Sequence, residues 1–331
     1  MTFRMVALAA LLAQLSAAQG LRMTTGGSAL HDEQAILGAV QEGRYTDGLK
    51  LVKTAAARAN AFGVERETIN LDAAIALFWM EVGNLPQTHL ALDAAKKVAG
   101  SNLQSAIARL PWEIAGQRTR AALLLDEGEY EGAFHDAVDR YGKGAGVSLT
   151  EVGGYRVALA AQAQLRLGNI PQASELAAKA LRVVPKNSKK LLIYVPRTLY
   201  ASCLVASHQG KYVEAEDLCR RGLSLVEPYG IYSRDVSLGY LALAEVFWLK
   251  RDLPSARHAA VKSVELSRDM FGETHQDLIA GLKLLALITA QEGKTEDAAV
   301  FAHDARIRAV TLFGERSTGL RILTEELKEL K

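Results

Sequence analysis

Apolar positions recur along this chain with a helical period, in stretches that each end at one residue followed by a short polar turn. The stretches end at Gly43, Gly83, Gly128, Gly168, Gly210, Arg251 and Gly293, at successive spacings of 40, 45, 40, 42, 41 and 42 residues. A period of this length predicts stacked helical hairpins, none of which buries its apolar face alone. Close packing supplies a second test. Five residues after each end stand Gly48, Thr88, Ala133, Ala173, Ala215, Ala256 and Ala298; seven before it stand Ile36, Ala76, Ala121, Ala161, Cys203, Ala244 and Ala286. Small side chains at these offsets, Ile36 being the one exception, let paired helix axes approach to ~8–10 Å. Pro86, Pro171 and Pro254 mark the start of second helices, where proline loses no needed hydrogen bond. Leu320, Leu323, Leu327 and Leu330 share one stripe of a last helix that would cap the array.

With small residues, turn plugs and prolines at these offsets, the chain resembles the tetratricopeptide repeat over roughly residues 32–314. The period and the run Phe271-Gly272-Glu273-Thr274-His275-Gln276-Asp277 resemble the longer repeat of kinesin light chain, with weaker copies at Phe62-Gly63, Tyr229-Gly230 and Phe313-Gly314. In that run Asp277 is expected to cap the next helix. The resemblance implies an all-α fold, a right-handed superhelical solenoid of about seven helix-turn-helix repeats over residues 31–317, closed by a C-terminal capping helix over 318–331. It also implies a concave groove lined by the first helix of each hairpin. The implied lining positions include Arg118, Tyr155, Gln162, Arg197, Tyr200, Ser207, Glu245, Trp248 and Lys283. Arginines and aromatics anchor interfaces, so a peptide of acidic or aromatic character is the expected occupant. The asparagine with which kinesin-type repeats hold a peptide backbone is missing from all seven units. Leu125, Leu204 and Leu241 make the groove apolar enough to take a partner helix or a second copy of the chain instead.

The N-terminus reads differently from the repeats. Arg4, an apolar run over 5–15 broken only by Gln14, and Ser16-Ala17-Ala18 form the pattern of a cleavable secretory signal over 1–18, cut after Ala18. A flexible leader over 19–30 follows. This places the protein outside the cell or in the periplasm, with no integral membrane segment after cleavage. An organelle presequence is the alternative, because no acidic residue precedes Asp32. Formal net charge is only +2 and the charges are interspersed, which argues against a nucleic-acid partner.

No catalytic, cofactor or metal motif emerges. The seven histidines never pair at metal-ligand spacing, and the glycines around Lys143 lack the strand and Gly-Lys-Ser/Thr of a phosphate cradle. Cys203 and Cys219 fall at small-residue positions of one hairpin; buried free thiols are the plainer reading, and a disulfide is open to them in an oxidising compartment. The expected function is therefore a non-enzymatic scaffold or adaptor that binds a protein or peptide in its groove, with self-assembly as the alternative. An enzyme, or a subunit of one, acting on cell-wall polymer would need a desolvated glutamate of raised pKa, for which Glu245 is the one candidate.

Overall fold

The computed structural model of the chain describes residues 29–59, 65–101, 116–138, 151–184, 194–229, 233–328 and 330. The expected signal segment, the glycine-rich loop at 142–146 and the turns at Phe62-Gly63 and Gly230 lie outside the described residues. Within them run fifteen α-helices and no strand. Seven hairpins pair α1 (Ala29–Gln41) with α2 (Tyr45–Ala59), α3 (Glu65–Glu81) with α4 (Leu85–Ser101), α5 (Gln117–Asp126) with α6 (Tyr130–Val138), and α7 (Glu151–Arg166) with α8 (Ile170–Leu181). The series continues with α9 (Val195–His208) and α10 (Tyr212–Val226), α11 (Arg234–Leu249) and α12 (Leu253–Phe271), then α13 (Gln276–Gln291) and α14 (Thr295–Phe313), and it ends with α15 (Thr318–Glu326). Helix α1 already begins at Ala29, inside the expected leader, because Ala29 is buried in the first hairpin's core.

The hairpin turn is one structure repeated seven times. All seven end residues take a left-handed φ between 68° and 82°, Arg251 among them as the only non-glycine with positive φ in the described residues. At each, the end residue's N–H donates to the carbonyl three residues back and the next N–H to the carbonyl five back, as in Gly168 to Leu165 and Asn169 to Gln164. These bonds satisfy the last carbonyls of the first helix and reverse the chain. The second helix then starts two residues past the end residue in every hairpin. The small columns are fully enclosed: Ala76, Ala121, Ala161, Ala244 and Ala286 on the first helices, and Thr88, Ala133, Ala173, Ala215, Ala256 and Ala298 on the second, all have zero exposure. At Gly48 the ring of Phe78 fills the space a Cβ would need, 2.3 Å away.

Two local expectations change. Cys203 and Cys219 are not free thiols; they are bonded across the fifth hairpin, with Cα atoms 5.6 Å apart. Asp277 is not the cap of α13. His275 is, its Nδ1 accepting the Asp277 N–H, which frees the Asp277 carboxylate to pair with Arg234.

The array closes on itself. The Tyr45 ring meets Phe271 edge-on at 5.1 Å, and its hydroxyl accepts the backbone N–H of Arg234 at 3.1 Å. His275 and Gln276 donate to the carbonyls of Glu81 and Met80 at the buried C-terminal end of α3. Helix α15 covers the last hairpin through Leu323 and Leu327 and also reaches the turn after α5, where a Cβ on Gly319 would lie 3.1 Å from the Glu127 carbonyl. Leu312 and Phe313 pack on the cores of both halves. These contacts draw the repeats around the concave face and leave it partly open to solvent.

Candidate functional site

Inside the closed ring lies a cavity of about 270 Å³. Its walls are apolar, built from Leu125, Leu159, Leu204, Leu238, Leu241 and Ile279, and α15 closes one side with Ile322 and Leu323. Its two ends are charged. At one end Arg166 and His208 both contact Glu245, at 3.4 and 2.9 Å, and Lys283 pairs with Glu326 at 2.9 Å. Burial would push the Glu245 carboxyl up, but the charge of Arg166, the His208 hydrogen bond and Lys283 hold it well below the usual carboxylate range. Ionised and paired, Glu245 does not suit the general-acid role that a hydrolase would require of it.

The other end is a network joining distant repeats. Arg197 grips Glu81 through two bonds of 2.7 Å and turns its Nε to Asp235. Arg234 grips Asp277 at 2.8 and 2.9 Å, reaches Asp126 at 3.2 Å, and approaches Glu81 at 3.5 Å. Helix geometry explains the arrangement: Glu81 and Asp126 end α3 and α5, where carbonyl dipoles disfavour an acid, and the guanidiniums compensate there. Asp235 and Asp277 sit in the first turns of α11 and α13, where N–H dipoles favour them. Burial alone would raise all four acids; the arginines bring Glu81 and Asp277 below their ordinary values, while Asp235 stays raised and Asp126 is pushed up to about 6. His275, held by a bond at each ring nitrogen, is pushed by burial down to about 4.

Tyr155, Gln162, Arg197, Tyr200, Glu245 and Lys283, of the positions expected to line the groove, come together around this cavity. Arg118, Ser207 and Trp248 do not line it. Arg118 stacks its guanidinium 4.3 Å above the Tyr194 ring, which in turn stacks on Tyr155. Ser207 is buried and donates to the Leu204 carbonyl of its own helix, and Trp248 is half-buried with its Nε1 lacking a partner. Tyr200 is as much core as lining: its ring fills the space beside Gly222, and a Cβ on Gly239 would lie 2.7 Å from its hydroxyl.

No protein-family model matches the sequence, and no curated protein matches it. Solved structures do match in shape. A Rap protein, in its complex with Competence and Sporulation Factor, superposes with a TM-score of 0.64 at 9% identity, over 92% of this chain and 87% of that one. The fold is a tetratricopeptide-type helical solenoid. The apo form of RapI matches with a TM-score of 0.46 at 9% identity, covering 91% and 85%; a tetratricopeptide repeat protein from Parabacteroides merdae matches at 0.44 and 16% identity, covering 92% and 99%. The kinesin light chain type of repeat is an expectation from the sequence that these matches do not confirm. Among the described residues no helix is long and apolar enough to cross a membrane, and no group of three or more His, Cys, Asp or Glu is placed to hold a metal ion.

The sequence reading missed Glu81, Asp126, Arg166, His208 and Arg234, and gave Asp277 only a capping role. A signal for most of them was present: Glu81, Asp126, Arg166 and His208 all stand two residues before a repeat's end residue, and Asp277 stands sixteen before it, as Asp235 does in the preceding repeat. Columns of ionisable residues at one offset of a solenoid fall along one edge of its groove.

Proposed function

We propose that this chain is a non-enzymatic scaffold or adaptor that holds a peptide or protein segment in the concave groove, in a secreted or periplasmic setting. The observation that carries the reading is the cavity itself. Its apolar walls, charged ends and volume of about 270 Å³ suit a few side chains of an inserted segment rather than the face of a folded domain. The Rap protein that superposes on it was crystallised with a bound factor, which fits this use of the fold. Tetratricopeptide-type architecture supplies many functions, so the site and not the fold is what the test must address. The Cys203–Cys219 disulfide supports an oxidising compartment, as does the signal-like N-terminus; N-terminal sequencing of exported protein should find Gln19 first. Sequencing that finds residue 1 intact on protein retained in the cytoplasm would overturn the export part.

Ala280 and Gln162 line the cavity and take no part in the ion-pair network. Ala280→Trp and Gln162→Trp should fill the cavity and abolish binding of segments selected on the unmodified protein from a random peptide library. Equal binding by filled variants of unchanged melting temperature would remove the groove from the function.

A second reading, self-assembly, is favoured by one feature. Val300, Ile307 and Val310 leave an apolar stripe exposed on the outer face of α14. Sedimentation equilibrium would show mass rising with concentration, and Val300→Lys would abolish the rise.

A further inference from the structure

The repeats are joined in two different ways. In chain order each hairpin packs helix against helix on the next, and its own two helices close on small residues of zero exposure. Across the ring, among the described residues, no helix of α1–α6 packs along any helix of α9–α15. These two groups meet at helix ends, through side chains. Glu81 and Asp126, which end α3 and α5, take Arg197 and Arg234 from the first turns of α9 and α11. The apolar share of this seam is small: the Tyr45 ring on Phe271, with Leu312 and Phe313 against the core of the second and third repeats.

The two kinds of joint part at different cost. Separating a hairpin exposes its enclosed apolar column to water. Parting the seam returns ions to water, where hydration offsets much of the Coulomb attraction that is lost. The closed seam also sets four carboxylates, Glu81, Asp126, Asp235 and Asp277, against two guanidiniums, and burial pushes the Asp126 carboxyl up to about 6. Opening relieves that crowding. A solenoid can open without unfolding, because each repeat contacts only its neighbours and small rotations at successive interfaces add up across the ring. The fourth repeat lies between the two groups. The core that joins its α7 to α9 is built from Val157, Ala158, Ala180 and Ala201, short side chains that let packed helices slide.

We propose that this seam is a latch: it parts as one unit by flexure at the fourth repeat, all seven hairpins staying folded, and its parting widens the cavity to admit a segment. Met80, Asp126, Arg234 and Gln276 belong both to the seam and to the cavity wall, so parting the one widens the other. The latch stands on the contacts alone; the admission of a segment rests on the function proposed above.

A double variant of the full chain, Arg44→Cys/Asp269→Cys, places one thiol on each side of the seam, at exposed positions beside Tyr45 and Phe271. The native disulfide has zero exposure and is spared by thiol reagents. Nitroxides on this pair should give one short distance by pulsed electron resonance. Adding Arg234→Ala should lengthen and broaden it, with helical content unchanged and the distance between labels at Val213→Cys and Asp269→Cys, both on one side of the seam, unmoved. A distance that stays short, or a seam lost only together with helical content, overturns the latch. A second measurement leaves every latch residue in place. The Arg234 N–H has the Tyr45 hydroxyl as its acceptor, and it should exchange with deuterium at least tenfold more slowly once a bismaleimide bridges the Arg44→Cys and Asp269→Cys thiols. The Ala244 N–H, in the middle of α11, should keep its rate. Arg234 exchange that is indifferent to the bridge overturns the latch as well. The same bridge should slow association of a peptide from the library selection described above at least tenfold. Unchanged association overturns the admission of a segment through the seam and leaves the latch, and a library that yields no binder overturns the groove function and leaves the latch.

Discussion

Glu81 and Arg197, 116 residues apart in sequence, meet through two parallel hydrogen bonds of 2.7 Å, with the carboxylate wholly buried and the guanidinium nearly so. The pair ties the second repeat to the fifth and so fixes the diameter of the ring. Arg197→Ala would leave the buried Glu81 with only the 3.5 Å approach of Arg234 and would take from Asp235 its guanidinium partner, and should lose about 3–5 kcal/mol of unfolding free energy in urea. Arg197→Lys keeps the charge but not the fork, so it should lose a smaller part. If the alanine variant stays within about 1 kcal/mol of the unmodified protein, the range of an exposed pair, then the pair does not hold the ring.

Asp126 and His275 should give acid stability two opposed slopes. The Asp126 pKa rises on folding from 3.8 to about 6, so the native state holds its proton more tightly and stability falls as pH climbs from about 4 to 6. The His275 pKa falls on folding from 6.5 to about 4, so its contribution is full above pH 6.5 and is lost as pH drops toward 4. Asp126→Asn removes only the first effect. Its stability relative to the unmodified protein should therefore improve between pH 4 and 6 by roughly 2 kcal/mol, with no further change above. Chemical denaturation at several pH values measures the difference, and a flat difference would show that Asp126 titrates normally.

The hairpins were legible because each depends on local spacing. A small residue seven before or five after a turn has one use, the approach of two neighbouring helices, and every described residue at those offsets is enclosed. Ring closure was not legible. The meeting of Glu81 with Arg197 and of Gly319 with Glu127 depends on the accumulated rotation of several repeats, which no local pattern encodes. The groove positions fared in between: the offsets brought Tyr155, Gln162 and Lys283 to the cavity, but residue type alone could not reveal that the charge of Arg197 was already matched.

Arg251 holds a φ of 70°, in the place that glycine fills in the other six hairpins. A Cβ in that conformation crowds the following carbonyl, at a cost of ~1–2 kcal/mol. Arg251→Gly should therefore raise the melting temperature, with a gain near ~1 kcal/mol. The reverse change supplies the control. Gly210 has the same conformation and no neighbour that a Cβ would touch, so Gly210→Ala should lose a similar amount through the backbone alone.

The disulfide closes a short loop, with a sequence separation of 16. Replacing both cysteines by alanine should cost ~2–4 kcal/mol, chiefly by freeing the unfolded chain. Reduction of the unmodified protein with dithiothreitol should lower its melting temperature comparably. A melting temperature indifferent to reductant would mean that the bond is not formed in the protein as isolated.

Helix α15 depends on a glycine for its second contact. Gly319 lies so near the Glu127 carbonyl that a Cβ would stand 3.1 Å from backbone that cannot turn aside, and a Cβ on Gly128 would in turn stand 3.3 Å from the Gly319 α-carbon. Gly319→Leu should push the N-terminal turn of α15 away from the third repeat while Leu323 and Leu327 keep its far end on the last hairpin. Amide hydrogen exchange should then rise in the turn after α5 and at the start of α15, but not in α13. The loss of stability should be about 1–3 kcal/mol, as for overpacking elsewhere. Because Ile322 and Glu326 wall the cavity from this helix, bound segments should also dissociate faster from the variant. Unchanged exchange in both segments would instead mean that α15 is held by the last hairpin alone and that the ring closes only through Tyr45, Glu81 and the arginine network.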